Sequence, residues 1–260
     1  MRRLHLSGPS ESLSDQAYFS IREFILRGEF PLGSPLSRRM LARRLKMSLL
    51  PVSEALQRLE QQGLVETRQR AGTRVRMPTR RDVAEQYVIR EALEAQSARL
   101  LAEIGTPSQF RELRRLAERI DVFYNRLKSA DEDPEFTFSV HMQHFEFHMR
   151  LAEFTGCGAL RQEVENRQVL MLNWLYMVAV PGRDLPRHFH RDLIDAIASG
   201  NVDRADHEMR RHVTYGLPEL LRRIEAKDVQ GWRQPSSRQE HQAPASSTKR
   251  RRRPNTRSIK

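Results

Sequence analysis

The sequence predicts a mainly α-helical protein of two domains, an N-terminal winged helix-turn-helix and a C-terminal antiparallel α-helical bundle of about six helices. Two observations support this prediction. Residues 12–77 contain three segments with the helical spacing of apolar side chains, followed by two short segments typical of β-strands. Residues 81–228 contain helical segments joined by short turns, which is the pattern of a helical bundle. Residues 78–80 are the predicted linker.

Apolar spacing and turn residues define each element of the first domain. The first helix covers residues 12–27 and ends at the Gly- and Pro-containing segment 28–33. Two short helices follow it, and Gly63 ends the second of them. Residues 64–67 and 73–76 are predicted to form a β-hairpin. The apolar faces of the three helices contain Leu13, Ala17, Ile21, Phe24 and Ile25, then Leu36, Met40, Leu41 and Leu45, then Val52, Ala55, Leu56 and Leu59.

Helical periodicity continues through the second domain, and Gly, Pro, Ser or Asn residues interrupt it. The predicted helices cover residues 81–103, 107–128, 135–154, 159–178, 187–198 and 202–226. The first of them has Val83, Tyr87, Leu93 and Leu100 near one face. Short connections of this kind favour antiparallel neighbours in a bundle.

Charge is distributed unevenly over the 260 residues, whose formal net charge is +12. Residues 1–80 carry 15 basic and 7 acidic side chains, residues 81–232 carry 21 and 25, and residues 233–260 carry 9 and 1. We expect a flexible arm at 1–11 and a disordered basic tail at 229–260, because the tail has too few apolar residues to fold alone. Its Lys249–Arg253 cluster is suited to phosphate contacts; a solubilising tail is the alternative.

Several protein classes are disfavoured by the sequence. The single Cys157 excludes an intramolecular disulfide, and no apolar run is long enough for a membrane span. We therefore expect a cytoplasmic, nucleoid-associated protein without a membrane partner. HExxH, GxSxG, P-loop and GxGxxG motifs are absent from the sequence. We expect a protein that is not an enzyme; a hydrolase or isomerase that also binds DNA is the rival interpretation.

The segment from Pro31 to Val75 resembles the N-terminal domain of the GntR family of bacterial transcriptional regulators. The matching residues include Leu36-Ser37-Arg38-Arg39, Leu41-Ala42, Ser48, Pro51-Val52, Glu54-Ala55-Leu56 and Gly63-Leu64-Val65. The resemblance implies that the second short helix enters the major groove of double-stranded DNA while the wing contacts the backbone or minor groove. The candidate DNA-binding residues are Arg38, Arg39, Arg43, Arg44, Lys46, Ser48, Leu49, Pro51, Ser53, Arg58, Arg68, Arg70, Gly72 and Arg74.

Two departures from the family pattern lie in the recognition helix. Leu49 and Ser53 occupy positions where the family has arginines, which are suited to phosphate and guanine contacts. An altered operator is one consequence, and weakly sequence-specific DNA binding is the other.

The second domain resembles the FCD effector domain found in one GntR subfamily. The resemblance rests on Tyr87-x-x-Arg90-x-x-Leu93-Glu94, on Phe147-His148 and on the His190-to-Asn201 and Met209-to-His212 segments. It implies a homodimer that reads a near-palindromic operator, a divalent metal such as Zn or Ni in each subunit, and a small carboxylate effector. Arg90 is the candidate partner of that carboxylate; an interhelical salt bridge is the alternative role.

Seven of the nine histidines lie between residues 141 and 212, and their spacing distinguishes them. His144 and His148 are one helical turn apart and project from the same face. His190 and His212 lie on two helices joined by a short turn, so both can point into one cavity. The FCD resemblance implies one Asp and three His ligands, with His148, His190 and His212 as the three and His144 at the Asp position. His141, one turn before His144, is an alternative ligand.

Four neutral imidazoles do not offset the charge of a divalent cation as a carboxylate does. We therefore expect the site to favour an anionic effector; compensation of the charge by Glu146 or another acid is the alternative. The sequence predicts a ligand-responsive regulator, a repressor rather than an activator. A regulator that senses the metal itself is an alternative.

Overall fold

The computed structural model describes residues 12–127, 133–177 and 185–229. The predicted flexible arm at 1–11 and the Lys249–Arg253 cluster lie outside the described residues. Of the predicted tail, the structure describes only Val229, which is the last residue of a helix.

The N-terminal domain contains three helices and a three-stranded antiparallel sheet. The helices are α1 (Leu13–Leu26), α2 (Arg38–Leu45) and α3 (Leu49–Gln61), and the strands are β1 (Pro35–Leu36), β2 (Val65–Arg68) and β3 (Gly72–Val75). The sheet order is β1-β3-β2. The winged helix-turn-helix is therefore present, with one strand more than the predicted hairpin. A two-residue strand is too short for a periodicity in sequence.

Local side chains set the ends of these helices. Ser12 and Asp15 form a capping box at the start of α1, and the Ser37 hydroxyl accepts a hydrogen bond from the Met40 amide at the start of α2. Lys46 lies between α2 and α3 in the left-handed conformation, with φ 55°. Gly63 ends α3 with φ 78°, a conformation that glycine adopts without steric cost.

The C-terminal domain is a helical bundle arranged around one central helix. Its helices are α4 (Arg80–Ile104), α5 (Pro107–Leu127), α6 (Pro134–Phe154), α7 (Gly158–Met177), α8 (Phe189–Ala198), α9 (Val202–Thr214) and α10 (Leu217–Val229). Helix α4 contacts α6, α7, α8, α9 and α10. The mainly α fold is thus confirmed. None of the described helices has the length and hydropathy needed to cross a bilayer.

The last predicted helix is interrupted in the structure. Residues 202–226 form two helices rather than one, because α9 ends at Thr214 and α10 begins at Leu217. Gly216 and Pro218 flank the new start. Proline lacks an amide hydrogen and is favourable only in the first turn of a helix, so Pro218 is compatible with a new helix but not with a continuous one.

The four apolar residues predicted near one face of α4 differ in burial. Val83 and Tyr87 are buried, whereas Leu93 and Leu100 are half-buried. The buried residues of α4 also include Arg90 and Glu94, which are 4% and 2% exposed. The buried face of the central helix therefore contains an ion pair that the apolar spacing did not predict.

Candidate functional site

Four histidines from three helices converge inside the bundle. Helix α6 supplies His144 and His148, α8 supplies His190 and α9 supplies His212. The candidate ligand atoms of His144, His190 and His212 all lie within 4.8 Å of one another. The Nε2 atom of His148 lies 3.1 Å from that of His144 and 3.3 Å from that of His212.

These nitrogen separations are suitable for a shared metal ion. Metal–imidazole bonds of about 2.0–2.1 Å place two ligands of a tetrahedral ion roughly 3.3 Å apart. A single Nε2 lone pair on His148 is also insufficient to accept hydrogen bonds from both of its neighbours. A cation that accepts lone pairs from all the rings resolves this conflict, so the donor set fits a divalent metal.

A carboxylate from α5 fixes the orientation of His190. The Nδ1 atom of His190 lies 2.7 Å from Oδ1 of Asp121, and Asp121 also accepts hydrogen bonds from the backbone amides of His190 and Arg191. The tautomer with a proton on Nδ1 leaves the Nε2 lone pair facing the cluster. This carboxylate–histidine arrangement is typical of the residues that surround a metal site. Tyr124 stacks on the same ring, with centroids 5.5 Å apart.

A second carboxylate, from α4, fixes His148. Glu94 Oε2 contacts the Nδ1 atom of His148. The other oxygen of Glu94 accepts hydrogen bonds from Arg90 at 2.5 Å and from Gln168 at 2.7 Å. Glu94, Arg90 and Gln168 are all buried. Each of the two histidines therefore has its own buried carboxylate.

Burial and neighbouring charges keep the cluster ready to donate lone pairs. Burial lowers the pKa of His144 and of His212 well below the ordinary value, and the adjacent rings lower it further. Burial also lowers the pKa of His190, although Asp121 opposes this effect. Burial raises the pKa of Glu94, but Arg90 and His148 outweigh it and bring the pKa to about 2. An ionised Glu94 and the neutral imidazoles of His144, His190 and His212 are the forms that metal binding requires.

Sequence reasoning identified the four histidines but missed their two carboxylates. Asp121 lies on the buried face of α5 between Ala117 and Tyr124, and Glu94 lies on the buried face of α4. A carboxylate on an otherwise apolar helix face was the available signal. His141 is buried and its ring centroid lies 6.4 Å from that of Tyr124; it is not part of the three-histidine group of the described residues.

Arg90, the candidate effector partner, is paired within its own helix. Its Nε atom donates to Glu94, so the salt bridge is intrahelical and the interhelical alternative was wrong. Its positive charge nevertheless lies close enough to His144 and His212 to lower their pKa values. Arg90 thus contributes a positive potential at the histidine cluster.

Some of the candidate DNA-binding residues have an acidic partner in the free protein, and others have none. Arg44 pairs with Glu29, Arg58 pairs with Asp15 at 2.5 Å, and Arg68 and Arg74 both contact Glu66. Pro51 is buried. Within residues 12–77, five cations have no acidic partner among the residues that the structure describes; they are Arg38, Arg39, Arg43, Lys46 and Arg70, and all are exposed.

The remaining candidates lie at the start of α3 and in the wing. Ser48 precedes α3 without a capping hydrogen bond from its side chain, so its hydroxyl is not committed to the helix end. Leu49 is exposed and Ser53 is half-buried. Gly72 begins β3 with φ 79°, and an added Cβ there meets no neighbouring atom. The first turn of α3 therefore carries no charge of its own, and the five exposed cations lie on α2, in the turn before α3 and in the wing.

Helix α7 connects the two domains. Glu165 on α7 lies 3.4 Å from Arg22 of α1, and Asn166 accepts a hydrogen bond of 3.2 Å from Gln62 at the end of α3. Two residues further along α7, Gln168 donates to Glu94 beside the histidine cluster. One helix therefore contacts both the DNA-binding head and the support of His148.

Two family models match the chain over both domains. Residues 13–75 match the model described as "Bacterial regulatory proteins, gntR family", and residues 85–215 match the FCD domain. These matches define the protein as a DNA-binding transcriptional regulator. It belongs to the GntR family, and its C-terminal domain is an FCD domain. Since this is a family of regulators, the prediction that the protein is not an enzyme is confirmed.

Curated relatives carry related descriptions. The chain is 29% identical over 212 residues to a probable D-xylose utilization operon transcriptional repressor of Paenarthrobacter nicotinovorans, covering 76% of this chain and 86% of the relative. It is 26% identical over 220 residues to the HTH-type transcriptional repressor RspR of Escherichia coli K12, covering 83% and 92%.

Solved structures share the fold. A putative GntR regulator from Rhodococcus sp. RHA1 superposes with a TM-score of 0.65 at 21% identity, covering 81% of this chain and 98% of that one. McbR/YncC of E. coli superposes with a TM-score of 0.66 at 23% identity, covering 82% and 99%.

Proposed function

We propose that this regulator is a ligand-responsive repressor whose helical domain binds one divalent metal per subunit and a small carboxylate effector. The convergence of His144, His148, His190 and His212, with Asp121 and Glu94 holding two of the rings, is the observation that carries the proposal. A bound metal would offer a Lewis-acidic position to a carboxylate oxygen. Imidazole donors are compatible with zinc and nickel.

The charge of the site favours an anion. Four neutral imidazoles leave the charge of a divalent ion uncompensated, and Arg90 adds a buried positive charge nearby. The carboxylates of Asp121 and Glu94 offset part of this charge, but both face Nδ1 atoms on the outer side of the rings. An anionic effector therefore enters a region of positive potential.

Repression and dimerisation extend the proposal to DNA. Two of the relatives are named repressors, and we infer the same direction of regulation here. A homodimer would carry two winged heads, each reading one half of a near-palindromic operator. The five unpaired cations of the head provide the phosphate contacts, and Ser48 and the first turn of α3 face the bases.

Helix α7 supports a route from effector site to DNA. A shift of His148 would move Glu94 and its partner Gln168, and α7 would transmit this shift to Arg22 and Gln62 in the head. An effector can change operator affinity only by its differential affinity for the two arrangements.

We expect Gln168→Leu to weaken this coupling. The variant removes the side-chain contact between α7 and Glu94 but leaves every residue of the head unchanged. Operator affinity without effector should stay within about twofold, whereas the change in affinity on adding effector, typically 5–150-fold in allosteric proteins, should fall severalfold. Fluorescence anisotropy with and without effector measures both quantities. Gln96→Leu, on the exposed side of α4, is the matched control. If the effector changes the operator affinity of the Gln168 variant as much as that of the natural protein, transmission through α7 is contradicted.

The function is tested by selection from random DNA duplexes at about 0.15 M salt, the physiological screening regime. We expect enrichment of a near-palindromic sequence, and we expect Arg39→Ala to lower affinity for it by roughly 5–150-fold, which corresponds to a loss of about 1–3 kcal/mol. Glu23→Ala, on α1, is a control away from the unpaired cations. Absence of any enriched sequence, with steep salt dependence, would favour a weakly specific DNA-binding protein.

The all-imidazole donor set favours one further candidate, a regulator that senses the metal itself. Removal of metal by chelation would then change operator affinity with no organic effector present. The same anisotropy measurement, made on metal-free and metal-loaded protein, separates the two proposals.

A further inference from the structure

We propose that Leu49 and Leu50 read thymine methyl groups in the major groove, so that each operator half-site depends on the methyl of one or two thymines. This inference rests on the proposed function, since it assumes that α3 reads an operator. It names the chemistry of the bases that face the first turn of α3.

The two leucines are exposed although the rest of the apolar side of α3 is buried. Leu49 and Leu50 are 50% and 67% exposed, whereas Val52, Leu56 and Leu59 are at most 3% exposed. A single exposed leucine is unremarkable in a soluble protein. Two adjacent ones at the N-terminal end of a recognition helix lie where such helices contact base edges.

The first turn of α3 lacks the side chains that pair selectively with guanine, adenine or cytosine. Arginine or lysine pairs with guanine, asparagine or glutamine with adenine, and aspartate or glutamate with cytosine. Residues 48–53 are Ser-Leu-Leu-Pro-Val-Ser and contain none of these, and serine is not selective for one base. Thymine is the base that presents an apolar group, its C5-methyl, in the major groove.

The surrounding charges are suited to hold this apolar turn against DNA. Arg39 and Arg43 on α2 and Lys46 in the turn before α3 are exposed and have no acidic partner among the described residues. Contacts of these cations with phosphates would position α3 without specifying sequence. The sequence-dependent part of the contact then falls to the two leucines and to Ser48.

The test replaces thymines of the selected operator by deoxyuridine, one position at a time. Deoxyuridine keeps every hydrogen-bonding group of thymine and lacks only the methyl. At one or two positions per half-site we expect affinity to fall about fourfold, the ratio that corresponds to roughly 0.8 kcal/mol for one buried methyl or methylene group. Fluorescence anisotropy at constant salt gives each ratio.

Variants assign the effect to the leucines. In the double variant Leu49→Ala and Leu50→Ala the ratio between thymine and deoxyuridine should approach one at the sensitive positions. Ile104→Ala, which removes a similarly exposed side chain from the end of α4, should leave the ratio unchanged. Leu49→Arg should move the preference at the contacted position from thymine towards guanine.

The outcomes separate this inference from the proposed function. If a palindrome is enriched but binds equally well with deoxyuridine at every thymine, the proposed contact of Leu49 and Leu50 with thymine methyl groups is wrong. The assignment of the protein as a regulator would stand. Sensitivity that persists in the double alanine variant would also overturn it, because another group would then contact the methyl. If no sequence is enriched, the proposal that the protein binds a specific operator is wrong, and the proposed contact with thymine methyl groups is wrong as well.

Discussion

Replacing His190 by alanine is expected to lower the affinity of the protein for Zn²⁺ by more than about 100-fold, since loss of a residue that merely orients a ligand already costs roughly 10–100-fold. The variant removes one of the converging imidazoles and the side-chain partner of Asp121, which keeps its two backbone amide donors. The other three histidines remain on α6 and α9. Competition with a chromogenic chelator measures the affinity.

Binding of zinc at the same site can also be measured as a rise in thermal stability. Zinc at a free concentration of 100 times its Kd stabilises a folded protein by about 2.7 kcal/mol. For a chain of this length that corresponds to a rise in Tm of roughly 5–10 °C. We expect this rise in the natural protein and its loss in the His190 variant. His207→Ala removes an exposed histidine of α9 and should behave as the natural protein does. Equal zinc affinity in the natural protein and the His190 variant would contradict the proposed site.

Replacing Arg90 by methionine is expected to destabilise the fold by about 3–5 kcal/mol, the cost of leaving one member of a buried ion pair without its partner. Arg90 and Glu94 are both buried, and Gln168 alone is too weak to replace the guanidinium. Denaturant unfolding gives the free energy of unfolding. An exposed pair of the same spacing, Arg81 and Glu85, provides the control, and Arg81→Met should change stability by less than about 1 kcal/mol.

A second variant separates stability from metal binding. Replacing both Arg90 and Glu94 by methionine removes the unpaired charge and should restore most of the stability lost in the single variant. The zinc affinity should nevertheless be about 10–100-fold lower than that of the natural protein, because His148 has lost the carboxylate that orients it. Recovery of both properties would show that Glu94 has no role beyond its ion pair.

Sequence reasoning predicted those elements whose signals are local. Helical spacing defined α1, α2 and α3, and the wing followed from its turn residues. The four histidines were identified by a one-turn spacing on α6 together with the family resemblance for His190 and His212. In the structure three of them form one ligand group and His148 lies within 3.3 Å of two of these. Their role as metal ligands remains a prediction.

The missed features depend on contacts between elements distant in sequence. Strand β1 has only two residues and exists because β3 pairs with it. Asp121 and His190 are 69 residues apart, and Glu94 and Gln168 are 74 apart, so no local pattern joins them. The split between α9 and α10 was predictable in principle, since Gly216 and Pro218 stand in the sequence. The split was missed because the partly apolar spacing of residues 202–226 is compatible with one continuous helix.

The bonds of Asp121 also bear on how quickly a metal would leave this protein. One carboxylate holds the ring of His190 and the first backbone amides of α8 together. The His190 ring is 1% exposed, so turning it away from the other histidines requires both loss of its bond to Asp121 and opening of the packing around the start of α8. Release of a bound ion would be governed by local opening of a helix end, which is much rarer than a side-chain rotation. Such a regulator would keep its metal over many cycles of effector binding and dissociation.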